Sequence, residues 1–109
     1  RKDMVISGGV NIYPREVEEV LLRHGSVAEA AVVGLPDPRW GERLAAVIVL
    51  SPRAKLQDDD IVAHCREYLG GYKVPRIVRF VDELPRNPAG KVMKRTIRDD
   101  LSKTAKNLD

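Results

Sequence analysis

Apolar positions in this chain come in short clusters whose spacing changes from segment to segment. Met4-Val5-Ile6 and Val10-Asn11-Ile12-Tyr13 flank Ser7-Gly8-Gly9, which predicts a short hairpin whose tight turn uses two glycines to reach positive φ. Pro14 can open a helix because a first-turn N–H has no helical partner. Val17, Val20 and Leu21 then recur at helical spacing, and Glu16, Glu18 and Glu19 load the early turns with negative charge, so the helix should run to near Gly25. Val27 to Leu35 and Leu44 to Leu50 are apolar almost throughout, the second reading as a strand covered on both faces at the centre of a sheet. A loop, 36–42, dense in turn formers joins them. Asp58-Asp59-Asp60 marks the start of a second helix reaching about Leu69, with Ile61, Val62, Cys65 and Leu69 on one face. Ile77 to Val81 is a third sheet strand, and Met93, Ile97 and Leu101 mark a final amphipathic helix with a basic outer face. Residues 103–109 are expected to fray.

The fold class that follows is α/β (α+β): a small domain with an N-terminal β-hairpin and a roughly three-stranded sheet flanked by about three helices. A length of 109 residues suits one domain with a modest core, and 43% apolar with 32% charged residues describes a globular chain. No apolar run reaches the roughly 20 residues that span a bilayer, no signal-peptide stretch opens the chain, and the single cysteine, Cys65, has no internal disulfide partner. A reducing, cytoplasmic setting fits, with Cys65 a buried spectator. His24 and His64 lack metal-ligand spacing and read as ordinary helix residues; no metal site is expected.

Charge changes the picture more than composition does. The net charge is +3, yet residues 85–109 carry seven cations against three carboxylates, a local +4 that leaves −1 for everything before. Within that basic region lies Pro85-Arg86-Asn87-Pro88-Ala89-Gly90-Lys91-Val92. Two prolines fix φ on either side of Asn87, and Gly90 allows an angle other residues resist, so Lys91 is offered from a stiff loop. A compact ammonium suits a phosphate or carboxylate as a point charge. An exposed turn lysine has the same local signature.

In order along the chain, four motifs resemble the C-terminal domain of the adenylate-forming enzymes, which include acyl-CoA synthetases, peptide-synthetase adenylation domains and luciferases. Lys2-Asp3-Met4-Val5-Ile6-Ser7-Gly8-Gly9-Val10-Asn11-Ile12-Tyr13-Pro14-Arg15-Glu16-Val17-Glu18 is similar to the family's hinge-and-hairpin motif. Val32 to Glu42, Tyr72-Lys73-Val74-Pro75, and Leu84 to Val92 are similar to its later motifs. The Ser-Gly-Gly-x-Asn-Ile-x-Pro form resembles acyl- or aryl-CoA ligases most. The likeness implies that residues 1–3 are a hinge remnant, that 4–102 form a mobile C-terminal domain, and that a large N-terminal domain, holding the acid pocket and most of the ATP site, lies outside this sequence. The piece alone is then expected to be inactive.

The family reaction activates a carboxylate with ATP to an acyl-adenylate, then transfers the acyl group to the thiol of CoA. The resemblance implies that Lys91 supplies the cation for the first step, that Lys2 and Asp3 form the hinge, and that Gly8 and Gly9 line the pantetheine path. It also implies CoA contacts for Trp40, Tyr72, Lys73 and Arg76. ATP and CoA are substrates, and Mg2+ is expected, bound mainly by the N-terminal domain. Partners would be that domain, the carboxylic acid, ATP, CoA and a lysine acetyltransferase acting on Lys91. For the glycines, closing a hairpin is an equally good and compatible reading, and Trp40 in a turn reads as loop packing on sequence grounds alone.

Another adenylate-forming enzyme is the nearest alternative. A basic nucleic-acid-binding domain or a pure interaction module is more remote: aromatics are only 5%, which leaves no stacking pair of the RNA-binding kind, and Gly90-Lys91 lacks the flanking residues of a P-loop.

Overall fold

A computed structural model describes residues 3–108 of the chain, with side chains through residue 103. Its elements in order are β1 (Val5–Ser7), β2 (Val10–Ile12), α1 (Pro14–Leu22), β3 (Val27–Asp37), β4 (Gly41–Leu50), α2 (Asp58–Tyr68), a single 3-10 turn (Gly71–Lys73), β5 (Ile77–Phe80) and α3 (Lys94–Leu108). The predicted hairpin does not stand apart from the sheet. β1 pairs with β4 through Ser7 and Gly41, giving one five-stranded sheet in the order β2-β1-β4-β3, with β5 also against β4. β5 runs parallel to β4, which requires a crossover, and α2 supplies it.

β4 is the centre, and its uninterrupted apolar run has a simple cause. Leu44, Ala46 and Ile48 point to a core built with α1 and α2, where Val17, Leu21, Ile61 and Cys65 are buried. Ala45 and Val47 point the other way, to a core with Ala31, Val33 and Leu35 of β3 and with Leu84, Ile97 and Leu101. Both faces are therefore dry, and neither can tolerate a polar position.

The predicted elements occur in the predicted order, and the departures have local causes. The loop at 36–42 is mostly ladder: Pro36 pairs with Glu42 and Asp37 with Gly41, so only residues 38–40 make the turn. Pro36, which has no N–H to give, is tolerated because β3 is an edge strand. Met93 lies one residue before α3 and is exposed, while Ile97 and Leu101 are buried as expected. The described helix runs to Leu108. His24 falls just past α1 rather than within it: its Nδ1 accepts the Ser26 N–H at 3.0 Å, and His64 Nε2 meets the Val20 carbonyl at 2.7 Å. Among the described residues no helix is long and apolar enough to cross a membrane.

Ile48 is wholly buried at the centre of β4. Ile48→Ala is expected to cost about 2–5 kcal/mol through lost transfer energy and the cavity left behind. Urea unfolding followed by circular dichroism measures it, and a midpoint equal to wild type would contradict the central role given to β4.

Candidate functional site

The loop that carries Lys91 is closed by Asn87. Its N–H donates to the Lys91 carbonyl at 2.9 Å, its carbonyl accepts the Gly90 N–H at 2.9 Å, and its Oδ1 accepts the Lys91 N–H at 2.9 Å. Gly90 adopts φ +90°, a conformation that L side chains resist. Arg86 Nη1 donates to the Gly90 carbonyl at 2.7 Å, and its Nη2 pairs with Glu29 on β3, which fixes the loop to the sheet. The Arg86–Val92 bridge and the Met93 N–H to Pro85 carbonyl bond, 2.8 Å, close the base. All of this order stops at the Lys91 backbone. Its side chain is exposed, and among the described residues its ammonium has no carboxylate or hydrogen-bond partner. A free cation on a stiff loop is a charge held ready for an anion that comes to it.

A second constellation forms around Trp40. The Asp37 carboxylate accepts N–H bonds from Arg39 and Trp40, both at 2.8 Å, and so winds the β3–β4 turn. The Trp40 N–H first, the Arg39 N–H next, and then the nearby Arg43 and Arg76 charges hold the Asp37 carboxyl below its ordinary range. The Trp40 carbonyl accepts the Gly8 N–H at 2.9 Å, drawing the β1–β2 turn onto the indole. Gly8 and Gly9 both have positive φ, as a type I′ hairpin turn demands. A Cβ on Gly8 would stand 3.0 Å from Trp40 Cε3, whereas one on Gly9 would meet nothing within 4 Å. Gly8 is thus needed for packing, and Gly9 leaves an open face. The Arg39 and Arg76 guanidinium carbons lie 4.9 and 5.6 Å from the Trp40 ring centroid.

Ser7, Trp40, Gly71, Tyr72 and Arg76 enclose a recess of about 240 Å³. That is smaller than the ~300–1,000 Å³ of complete small-molecule sites, so it can hold part of a ligand: an aromatic wall, a hydroxyl and a cation beside a thin backbone. Lys73 does not join it. Its ammonium is 3.0 Å from Glu16 Oε1 on α1, away from the indole. Ser7, Gly71 and Arg39 were missed from sequence, although Ser7 and Arg39 directly adjoin Gly8 and Trp40. A larger recess, about 710 Å³ between β5 and α3, is lined by groups such as Phe80, Leu84, Ile97 and Leu101, and by none of the candidate residues. Asp3 pairs with Lys94 at 2.8 Å, while Lys2 lies outside the described residues.

Lys91 and Trp40 belong to opposite ends of the β3–β4 ladder. Glu29, which anchors the Lys91 loop, and Asp37, which winds the Trp40 turn, are eight residues apart on β3, or ~27 Å at the rise of an extended strand. Cys65 serves neither end: burial pushes its thiol up to about 11.

Residues 16–91 match the family described as AMP-binding enzyme C-terminal domain. The chain is 58% identical over 99 residues to the 3-[(3aS,4S,7aS)-7a-methyl-1,5-dioxo-octahydro-1H-inden-4-yl]propanoyl:CoA ligase of Rhodococcus jostii, covering 91% of this chain and 19% of the ligase. It is 46% identical over 103 residues to the long-chain-fatty-acid–CoA ligase FadD13 of Mycobacterium tuberculosis, with 94% and 20% covered. Among solved structures, a fatty acyl CoA synthetase of Mycobacterium tuberculosis superposes with a TM-score of 0.87 at 44% identity, over 94% of this chain and 20% of that one. Apo MatB of Rhodopseudomonas palustris gives 0.88 at 39%, over 91% and 20%. The chain therefore spans about a fifth of the length of these relatives.

A depressed carboxyl contributes stability that is present above its unfolded pKa and lost as pH falls through the lower folded value. The Asp37 turn should therefore hold at neutral pH and loosen only in acid, below the ordinary carboxylate range near 3.9. Trp40 fluorescence titrated downward in pH should report that loosening in the wild type, and in Asp37→Ala the acid step should be missing and the neutral spectrum already shifted. An identical titration in both proteins would remove Asp37 from this role.

Proposed function

The chain belongs to the AMP-binding enzyme C-terminal domain family, and from that premise we propose that it acts as the mobile C-terminal domain of an AMP-forming acyl-CoA ligase. The observation that carries this reading is the pair of unlike sites at the two ends of one stiff ladder: a free ammonium at one, an aromatic and guanidinium recess at the other. The CoA-ligase relatives that it resembles over nine-tenths of its length favour the same chemistry.

In the first half-reaction a carboxylate oxygen attacks the α-phosphorus of ATP, the bond to the β-phosphate oxygen breaks, and pyrophosphate leaves. Two anions must approach, so a fixed cation beside them has its greatest effect in the transition state. Lys91 supplies it, acting by charge and orientation and transferring no proton. In the second, the CoA thiol, having lost its proton, attacks the acyl carbon and AMP departs with the electrons of the broken C–O bond. Here the other end of the domain faces the substrates. The open side of Gly9 and the backbone at Gly8 run beside the pantetheine arm, with Trp40, Tyr72 and Arg76 on the nucleotide part. Rotation at the Lys2–Asp3 hinge exchanges the two ends, whose anchors Glu29 and Asp37 stand ~27 Å apart along β3.

The acid pocket lies in the remaining four-fifths of the enzyme. The Mg2+ that accompanies ATP would be held mainly by that larger part. The exposure of Lys91 makes it accessible to an acetyltransferase, and acetylation would erase the charge the first step uses.

In the full-length enzyme, Lys91→Ala is expected to slow adenylate formation by about 10²–10³, the loss seen when one transition-state donor is removed. Thioester formation from supplied acyl-adenylate should stay within a few-fold of wild type. Pyrophosphate exchange and single-turnover thioester assays separate the two, and equal losses in both would refute the assignment. Gly9→Leu is expected to do the reverse, depressing thiol transfer more than pyrophosphate exchange. Because φ +80° strains any L residue there, the ratio of the two rates is the decisive quantity, and an unchanged ratio would take Gly9 off the thiol path.

A further inference from the structure

Helix α3 begins against the usual electrostatic preference. Lys94 and Arg95 open it, and its first turn holds no acidic residue, although the N-terminus of a helix already carries partial positive charge. The missing negative charge comes from two other segments. Lys94 Nζ lies 2.7 Å from Glu18 Oε2 on α1 and 2.8 Å from Asp3 Oδ2 in the chain leading into β1. The same Glu18 oxygen accepts the Val32 N–H at 2.9 Å, capping the outer edge of β3. Lys94 and Glu18 keep only 22% and 18% of their side-chain surface, so their pair differs from the loose surface pairs that contribute little, while Asp3 keeps 58% of its own. One ammonium thus ties together the entering chain, α1, the sheet edge and the start of α3, three residues after Lys91.

We propose that Lys94 is a positioning residue that clamps Asp3 to the body of the domain, so that rotation is confined to backbone bonds preceding Asp3. The inference rests on the reading of this chain as a rotating ligase domain and adds to it the device that fixes the pivot. With Asp3 held, the Lys91 loop and the Gly8 turn move as one rigid piece, and each swing of the hinge delivers a defined geometry. With Asp3 released, several more backbone torsions become free, and both orientations lose definition.

The test uses the full-length enzyme with Lys94→Met, Lys94→Arg and Asp3→Asn, and Lys94→Met combined with Asp3→Asn. The acid is whichever of a panel of fatty and aryl acids the wild type activates fastest. Lys94→Met and Asp3→Asn should each lower kcat of both half-reactions by about tenfold, within the range that ångström-scale misplacement produces, with KM for ATP unchanged. The double variant should be no slower than either single one, and Lys94→Arg should recover most of the rate. A loss confined to adenylation, additive losses, or wild-type kcat in either single variant would overturn the clamp. A second readout needs no catalysis: trypsin should cut after Lys2 at least about threefold faster in Lys94→Met than in Lys94→Arg, and equal cutting would also overturn the proposal. A wild type that activates no acid while the trypsin difference persists would sink the ligase reading and leave the clamp standing.

Discussion

The β3–β4 ladder is the constraint on which the rest of this domain depends. Nine residue pairs from Glu29–Val49 to Asp37–Gly41 run without interruption, and both faces of β4 are covered. Such a strand cannot slip by one residue without turning its two apolar sets out of their cores. The Trp40 turn and the anchor of the Lys91 loop are built on opposite ends of it. Their separation is therefore a property of the sheet and not of the loops, and no loop rearrangement short of unfolding brings them together.

That arrangement explains why the polar interactions concentrate where they do. Asn87, Arg86 and Glu29 use their hydrogen bonds on the backbone and flank of one loop and leave the Lys91 ammonium without a partner among the described residues. Asp37 uses its carboxylate on two N–H groups and leaves the indole between guanidinium groups. In each case one short polar side chain holds the backbone so that a neighbouring side chain stays available. This is preorganisation by local hydrogen bonding, set on a rigid strand end.

Much of this was legible in the sequence because β4, α1 and α2 obey strong periodic rules. The run from Leu44 to Leu50 could only be a two-faced strand, and the three aspartates at 58–60 could only favour a helix start. Gly8-Gly9 and Gly90 likewise announced positive φ, and the stiff loop that carries Lys91 was readable from its prolines and glycine. The reach of the ladder into 36–42 was hidden because Pro36, Asp37 and Gly41 are turn formers by composition, and only their cross-strand partners make them strand. Arg39 and Ser7 had no pattern of their own to mark them. Lys73 was grouped with Tyr72 and Arg76 by proximity in sequence, but a Glu16 partner 57 residues away takes its charge elsewhere. The partners of Lys94 were the least legible, since its carboxylates are 91 and 76 positions distant.

The burial of Cys65 has a chemical consequence under the proposed function, which sets the domain beside activated acyl groups. Acyl-adenylates react with any available thiolate, so a protein that meets them risks labelling itself. Here the sole sulfhydryl is shut behind α2 with no surface exposed and kept in its protonated, poorly nucleophilic form. In the proposed ligase the domain would stand by a mixed anhydride without reacting with it, and the incoming coenzyme would meet no competing thiolate from Cys65.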